Sequence, residues 1–333
     1  MFRIKIWDHC RYVREKAAPY PEMLRHLQIC AAAGIDTSII YLPEVISLPA
    51  YCQAAAKAGL KVEARIFPAW QNPAPVLRTL PDEKWTEMQE RFGITLRGAC
   101  LNHPDNQANF LEQADRLCQE FSGQLSAISL DFIRNDNAVL LLDYPCECSA
   151  CRQLRQHYFG KEVLTAAEAA EPAVLYKELE IRCSMVQKLV EGVKKICSQH
   201  GLDLTMAARA NYLNEPDITV APVWGLGPAV IEGQDWVDWV ERGLIDAVYP
   251  MNYHTDEALF TRLLHDHCRL LHPNKNKLFS GIGVSSSMGE LSPAALEKHL
   301  LLVKEQGLPG AVLFNKSNIY SPEQLKIIRK MIA

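Results

Sequence analysis

The sequence has no long apolar run. Nothing in its 333 residues approaches the about 18 consecutive apolar residues of a membrane-spanning helix, so a membrane is not expected as partner. The opening MFRIKIWDHC lacks the apolar core and small-residue cleavage site of a secretory signal, and a cytoplasmic location is the expectation. There is no basic block. Lys and Arg number 35 against 39 Asp and Glu, a net charge of −4, which argues against nucleic acid or an anionic lipid surface. Neither GxGxxG nor GxxxxGK[ST] occurs, so nucleotide-binding sheets lose their usual signal. A Pro/Ser/Gly linker and a tandem repeat are also missing, which favours one domain over residues 1–333. Nothing in the sequence speaks to oligomeric state.

What is present is ordinary globular composition, 48% hydrophobic and 22% charged, enough for a sizeable core. The 11 cysteines are an odd number. Full disulfide pairing is impossible, and metal binding becomes the alternative to test.

Short apolar runs alternate with helical patterns. The candidate strands are 2–7, 37–42, 61–67, 127–133, 203–210, 247–252, 277–284 and 311–315. Helix patterns lie between them at 21–33, 44–58, 106–121, 172–200, 234–242, 257–271, 293–306 and 322–332. Gly34, Gly59, Gly201, Gly243 and Gly307 each follow a helical stretch, where a left-handed terminal residue suits glycine. Ser292 before Pro293 and Ser321 before Pro322 read as N-caps. Repeated βα units imply a parallel sheet, and eight of them predict a single (β/α)8 TIM barrel. Two rim insertions exceed the minimal barrel: about 91–104, read as a strand or hairpin, and 135–170.

In such a barrel the chemistry gathers at the carboxyl ends of the strands. Those ends bring Trp7, Asp8 and His9; Arg65 and Trp70; Asp131 and Arg134; Arg209, Asn211 and Glu215; Met251, Asn252, Tyr253 and His254; and Asn315 and Lys316. Trp224 is a further aromatic candidate. Aromatic faces, carboxylates and amides together suit a sugar. Asp131 is the leading catalytic candidate, because a carboxylate inside an apolar strand is costly unless paired or used. Arg134 or Arg209 is its expected partner. Glycoside hydrolysis usually takes a second acid, for which Glu215 and Asp8 rank equally. Asp246 is expected as a structural cap at the opposite end. Arg3, Lys5, Glu63 and Arg65 alternate along two strands and are expected to form polar layers inside the barrel.

Cys146-Glu147-Cys148-Ser149-Ala150-Cys151 puts three thiols within six residues, a spacing that suits one tetrahedral Zn²⁺ and serves disulfides poorly. Cys100, in the other insertion, is the candidate fourth ligand, with His103 as substitute. A four-cysteine zinc site would be closed and structural, clamping the two insertions.

Three stretches resemble known families. Ser129-Leu130-Asp131-Phe132-Ile133-Arg134 resembles a strand of glycoside-hydrolase-like TIM barrels. Gly233-Gln234-Asp235-Trp236, followed by Asp246 through Tyr253, is similar to the signature of the family-10-like glycosyl hydrolases. Tyr144 through Arg152 resembles the cysteine segment of family 42 β-galactosidases, in which three such cysteines and a fourth upstream hold a structural zinc. Cys100, 46 positions before Cys146, matches that arrangement. The resemblance implies a glycosidase barrel acting on a glycan or glycoside, with one zinc and no organic cofactor. It also departs from family 42. The retaining relatives carry glutamates after strand four and at strand seven, where this chain has Asp131 and GIGVSSS, so β-galactosidase activity is not implied. Two other functions compete: a non-catalytic carbohydrate-binding barrel, and a barrel enzyme for a small anionic substrate.

Overall fold

The computed structural model describes residues 2–8, 20–41, 48–68, 75–92, 98–135, 146–211, 232–317 and 319–332. Nine strands form one sheet: β1 (Arg3–Asp8), β2 (Ile35–Tyr41), β3 (Lys61–Ile66), β4 (Ala127–Leu130), β5 (Asp203–Ala208), β6 (Ala247–Pro250), β7 (Phe279–Ser286), β8 (Gly289–Glu290) and β9 (Gly310–Asn315). Among the described residues there are eleven α-helices: α1 (Tyr20–Ala32), α2 (Leu48–Ala58), α3 (Asp82–Phe92), α4 (Pro104–Phe121), α5 (Ser149–Phe159), α6 (Ala166–Ala169), α7 (Pro172–Gln199), α8 (Trp236–Glu241), α9 (Glu257–Leu270), α10 (Pro293–Glu305) and α11 (Pro322–Ile332).

The sheet order is β6-β5-β4-β3-β2-β1-β9-β7-β8. All pairings are parallel except the short β7–β8 hairpin. One isolated parallel bridge, Val248 with Leu278, links β6 to the residue preceding β7. The eight expected strands thus correspond to β1–β7 and β9. Expected caps recur as well. All five helix-ending glycines have positive φ, Ser292 accepts from the Ala295 amide, and Ser321 and Gln324 cap each other reciprocally.

Side-chain alternation divides the interior in two. Ile4, Ile6, Ile40, Val62 and Ala64 face the helices and join the large outer core. Trp7, Ile39, Ala207, Tyr249, Phe279 and Val312 face inward and form a second cluster inside the curl. Below them Lys5 Nζ lies 2.5 Å from Glu63 Oε1 and donates to Tyr249 at 2.8 Å. Thr205 and Tyr249 donate to Glu63 at 2.8 and 3.0 Å. This is an inner polar layer of the expected kind.

Two expectations need correction. Strand four stops at Leu130 instead of running to 133, because Phe132 adopts φ +50°; a non-glycine residue there is strained and turns the chain. The first insertion is more than a hairpin. Its segment near Ala99 pairs antiparallel with Leu77, and the intervening chain carries α3. The second insertion holds the short helices α5 and α6, with residues 136–145 outside the described residues.

Candidate active site

Asp131 is positioned by parallel pairing. Its amide donates to Ile66 O at 3.1 Å, in continuation of the Leu130–Ile66 register. Arg65 and Ser129 are register partners facing inward, and Asp131, two residues after Ser129, points the same way. Its carboxylate is 5% exposed. Asp131 Oδ2 lies 3.5 Å from Arg65 Nη1, and Oδ1 accepts from the Phe132 amide at 2.7 Å. The partner is therefore Arg65 from β3, whereas Arg134 or Arg209 was expected.

Aromatic rings surround this pair. The Arg65 guanidinium sits 5.0 Å from the Tyr41 ring centre and 5.1 Å from that of Phe67. Tyr253 stacks on Phe314 at 5.0 Å, and Trp7 meets both edge-on. Burial, followed by the negative charge of Asp131, pushes the Tyr253 phenol well above its usual value, so it stays a neutral donor. Trp7 is 1% exposed and forms the floor; its Nε1 has no hydrogen-bond partner among the described residues. Room for these rings comes from β7. A Cβ on Gly281 would stand 3.1 Å from Trp7 and 2.6 Å from Pro250 O, and one on Gly283 2.9 Å from Tyr253.

Arg134 and Arg209 converge instead on Glu232, which is 0% exposed. Arg209 grips both carboxylate oxygens at 2.7 and 3.0 Å, and Arg134 Nε lies at 3.1 Å. The Glu232 carbonyl accepts from the Asn135 amide at 2.8 Å, which ties the loop after β4 to the segment before α8. Sequence reasoning missed Glu232, although it directly precedes the quoted Gly233-Gln234-Asp235-Trp236.

Several expected site residues face elsewhere. Asp8 is turned to the helix side, opposite in alternation to Trp7. There Tyr51 donates to it at 2.5 Å, Ser38 Oγ lies 2.6 Å from that hydroxyl, and His26 lies at 3.5 Å. Burial lowers the His26 pKa, but the bonds to Asp8 and Cys30 outweigh it and push the value up to about 11. This is a buried brace, not a mouth carboxylate. Asn252 is also outward, donating to Phe260 O of α9 at 2.9 Å. Asn315 closes its own turn through Ile319 O and Ser317. Lys316 is exposed. Met251 and Asn211 are half-buried, and Asn211 Oδ1 has no partner among the described residues. Burial lowers the pKa of His254. Asp246 caps from the other end, accepting from Leu204 N at 2.8 Å and from Lys194 at 2.6 Å. His9, Trp70, Glu215 and Trp224 lie outside the described residues.

The cysteine centre assembles from both insertions. Cys100 sits on the antiparallel segment, Cys146 and Cys148 precede α5, and Cys151 is in its first turn. All four sulfurs are buried and lie within 4.8 Å of one another, with Cys100 3.5 Å from Cys151 and 3.6 Å from Cys148. Asn102 Nδ2 and the Thr79 amide point at the sulfurs of Cys151 and Cys146. Hydrogen bonding from Cys100 holds Cys146 well below the usual thiol value and brings Cys148 down to about 6. Bonds to the same neighbours push Cys100 and Cys151 up. His103 caps α4, accepting from the Asp105 amide, and takes no part.

No protein-family model matches the chain, and no curated protein matches it either. Solved structures do. The PgaB (BpsB) glycoside hydrolase domain from Bordetella bronchiseptica aligns with TM-score 0.70 at 11% identity, covering 100% of this chain and 99% of that one. The catalytic domain of β-amylase from Paenibacillus polymyxa gives 0.64 at 11% identity, with 99% and 97% covered. The spore cortex-lytic enzyme SleL of Bacillus megaterium gives 0.57 at 10% identity, with 98% and 73% covered. At these identities the likeness shows a shared fold.

Proposed function

We propose that the chain is a glycoside hydrolase acting on a glycan or glycoside at the carboxyl-end mouth of a closed (β/α)8 barrel. The carrying observation is Asp131, inward and buried beside Arg65 above a ring of aromatic side chains. Closure is supported by the Val248–Leu278 bridge between the two ends of the strand order. The names of the similar structures point the same way, although fold alone does not carry activity. An arginine partner suits a carboxylate acting in its charged form, as base, nucleophile or stabiliser of an oxocarbenium-like transition state. Tyr253 would supply a neutral hydroxyl beside it. Both carboxylate oxygens of Glu232 are engaged by arginine, and the second acid is left to Glu215 or another group.

The test is a glycan and aryl-glycoside screen of the wild type against Asp131→Asn. A loss of about 100-fold or more is expected for a group of this role; unchanged turnover removes Asp131 from the chemistry. The clamped state of Glu232 favours a second reading, a carbohydrate-binding barrel without catalysis. That reading requires saccharide affinity with no turnover in either protein.

The cysteine centre fits zinc. A tetrahedral Zn²⁺ with bonds of about 2.3 Å spaces its sulfurs roughly 3.8 Å apart, near the separations seen here. Cys100, Cys146, Cys148 and Cys151 would hold the ion with no position left for water, and its contribution would be to tie the two insertions together. About one zinc per chain is expected, lost in Cys146→Ser with Cys148→Ser. Fully stable protein without metal would remove the site.

A further inference from the structure

Outside the cysteine centre, six described cysteines carry free thiols. Two of them, Cys118 on α4 and Cys197 on α7, meet where these helices pack together. The helices approach closely. A Cβ on Gly192 of α7 would stand 2.6 Å from Leu111 Cδ2 of α4. Nearer the carboxyl ends, His200 Nε2 lies 3.6 Å from Asp115 Oδ1. Cys118 and Cys197 stand beside these contacts, each 0% exposed and both in the large outer core. Hydrogen bonding from Cys197 lowers the Cys118 pKa against the opposing effect of burial. The same bond, followed by burial, raises that of Cys197. Thiolate character thus gathers on Cys118 and the proton on Cys197. A lone buried thiol packs as a small apolar group; two thiols in contact have a second chemistry open to them.

We propose that Cys118 and Cys197 are a thiol–disulfide exchange pair, closed to a disulfide by a small disulfide oxidant of the glutathione class. The Cys118 thiolate attacks one sulfur of the oxidant, its S–S bond breaks, and a mixed disulfide forms. The small thiolate that leaves takes up the proton Cys118 gave up. Cys197 then loses its proton and attacks the Cys118 sulfur, and the second small thiol departs with that proton. Two protein thiols and one small disulfide become one protein disulfide and two small thiols. Access comes from the helix ends. α4 stops at Phe121, three residues past Cys118, and α7 at Gln199, two past Cys197, and terminal turns open at the lowest cost. Each helix ends just before a strand begins, α4 before β4 and α7 before β5. The pair therefore lies at the amino ends of the strands, opposite the mouth. The two cysteines are 79 positions apart, and the loop between them holds Asp131, Cys146, Cys148 and Cys151. A crosslink over so long a loop constrains the unfolded chain strongly. The proposal rests on neither the glycosidase reading nor the zinc reading.

The test exposes the folded full chain to glutathione disulfide, with dithiothreitol as the reducing control, then blocks free thiols, digests the protein and reads the peptides by mass spectrometry. A linked Cys118–Cys197 peptide is expected in the oxidised sample and should vanish on reduction. The oxidised protein should unfold about 5 °C above the reduced one. Cys118→Ser and Cys197→Ser should each lose the linked peptide and the rise, whereas Cys268→Ser, on a different helix, should keep both. Folded wild type that yields no Cys118–Cys197 peptide at any ratio of glutathione disulfide to glutathione overturns the proposal, even if a serine variant does not fold. So does a linked peptide that appears only when the oxidant meets chain already unfolded in urea. Linkage confined to Cys100, Cys146, Cys148 and Cys151 overturns it as well, since the oxidant would then act on the cysteine centre instead.

Discussion

Two ionic layers stand one above the other inside the same curl of strands. The lower one joins Lys5, Glu63, Thr205 and Tyr249, and Glu63 receives donors from all three partners. The upper one, two residues further along β1 and β3, holds Trp7, Arg65, Asp131 and Tyr253. There Asp131 has the Phe132 amide and Arg65 at 3.5 Å, and the Tyr253 hydroxyl makes no hydrogen bond among the described residues. Both layers set a buried carboxylate beside a cation and a tyrosine. The lower is saturated and holds strands together; in the upper, the Trp7 indole N–H and the Tyr253 hydroxyl have no hydrogen-bond partner among the described residues.

Paired substitutions probe that difference by chemical denaturation. The largest effect is expected from Lys5→Met, which leaves Glu63 buried without its cation and should cost about 3–5 kcal/mol. A cost below about 1 kcal/mol would break the idea of a saturated lower layer. Next comes Tyr249→Phe, which removes a hydroxyl bonded to both Lys5 and Glu63 and should cost about 1–3 kcal/mol. Asp131→Asn should cost about 1–2 kcal/mol, less than Lys5→Met, since the ion pair it breaks is long, at 3.5 Å, and the amide keeps the carboxylate's shape. The smallest change is expected from Tyr253→Phe, within about 0.5 kcal/mol. Equal costs for the two tyrosine variants would erase the distinction between the layers.

The strands and most helices were legible because a repeated phrase, helix then glycine then apolar run, encodes each βα unit. For the described candidates, level along the curled sheet was legible too, since a strand end names its height. The side was not. Trp7 and Asp8 cannot both face the lumen, nor can Asn252 with Met251 and Tyr253, because successive side chains alternate. Carrying the inward parity of Lys5 forward assigns Trp7 to the lumen and sends Asp8 to the brace of Tyr51 and His26. Glu232 was illegible for another reason: it lies in a loop without periodicity, and only the meeting of Arg134 and Arg209 gives it meaning. Helix α3, DEKWTEMQERF, carries too few apolar residues to reveal its face. The meeting of Cys146, Cys148 and Cys151 was legible because they stand within six residues of one another, but the surrounding arginines, Arg78, Arg134, Arg155 and Arg182, are dispersed along the chain and meet only in the fold.

Gly281 and Gly283 set a boundary on redesign. A strand that presents bare backbone to the lumen lets rings from β1 and the end of β6 occupy the space. A carboxylate grafted onto either position would have to evict an indole or a phenol first. Any route from this curled sheet to a second lumenal acid through β7 therefore passes through the loss of its aromatic floor.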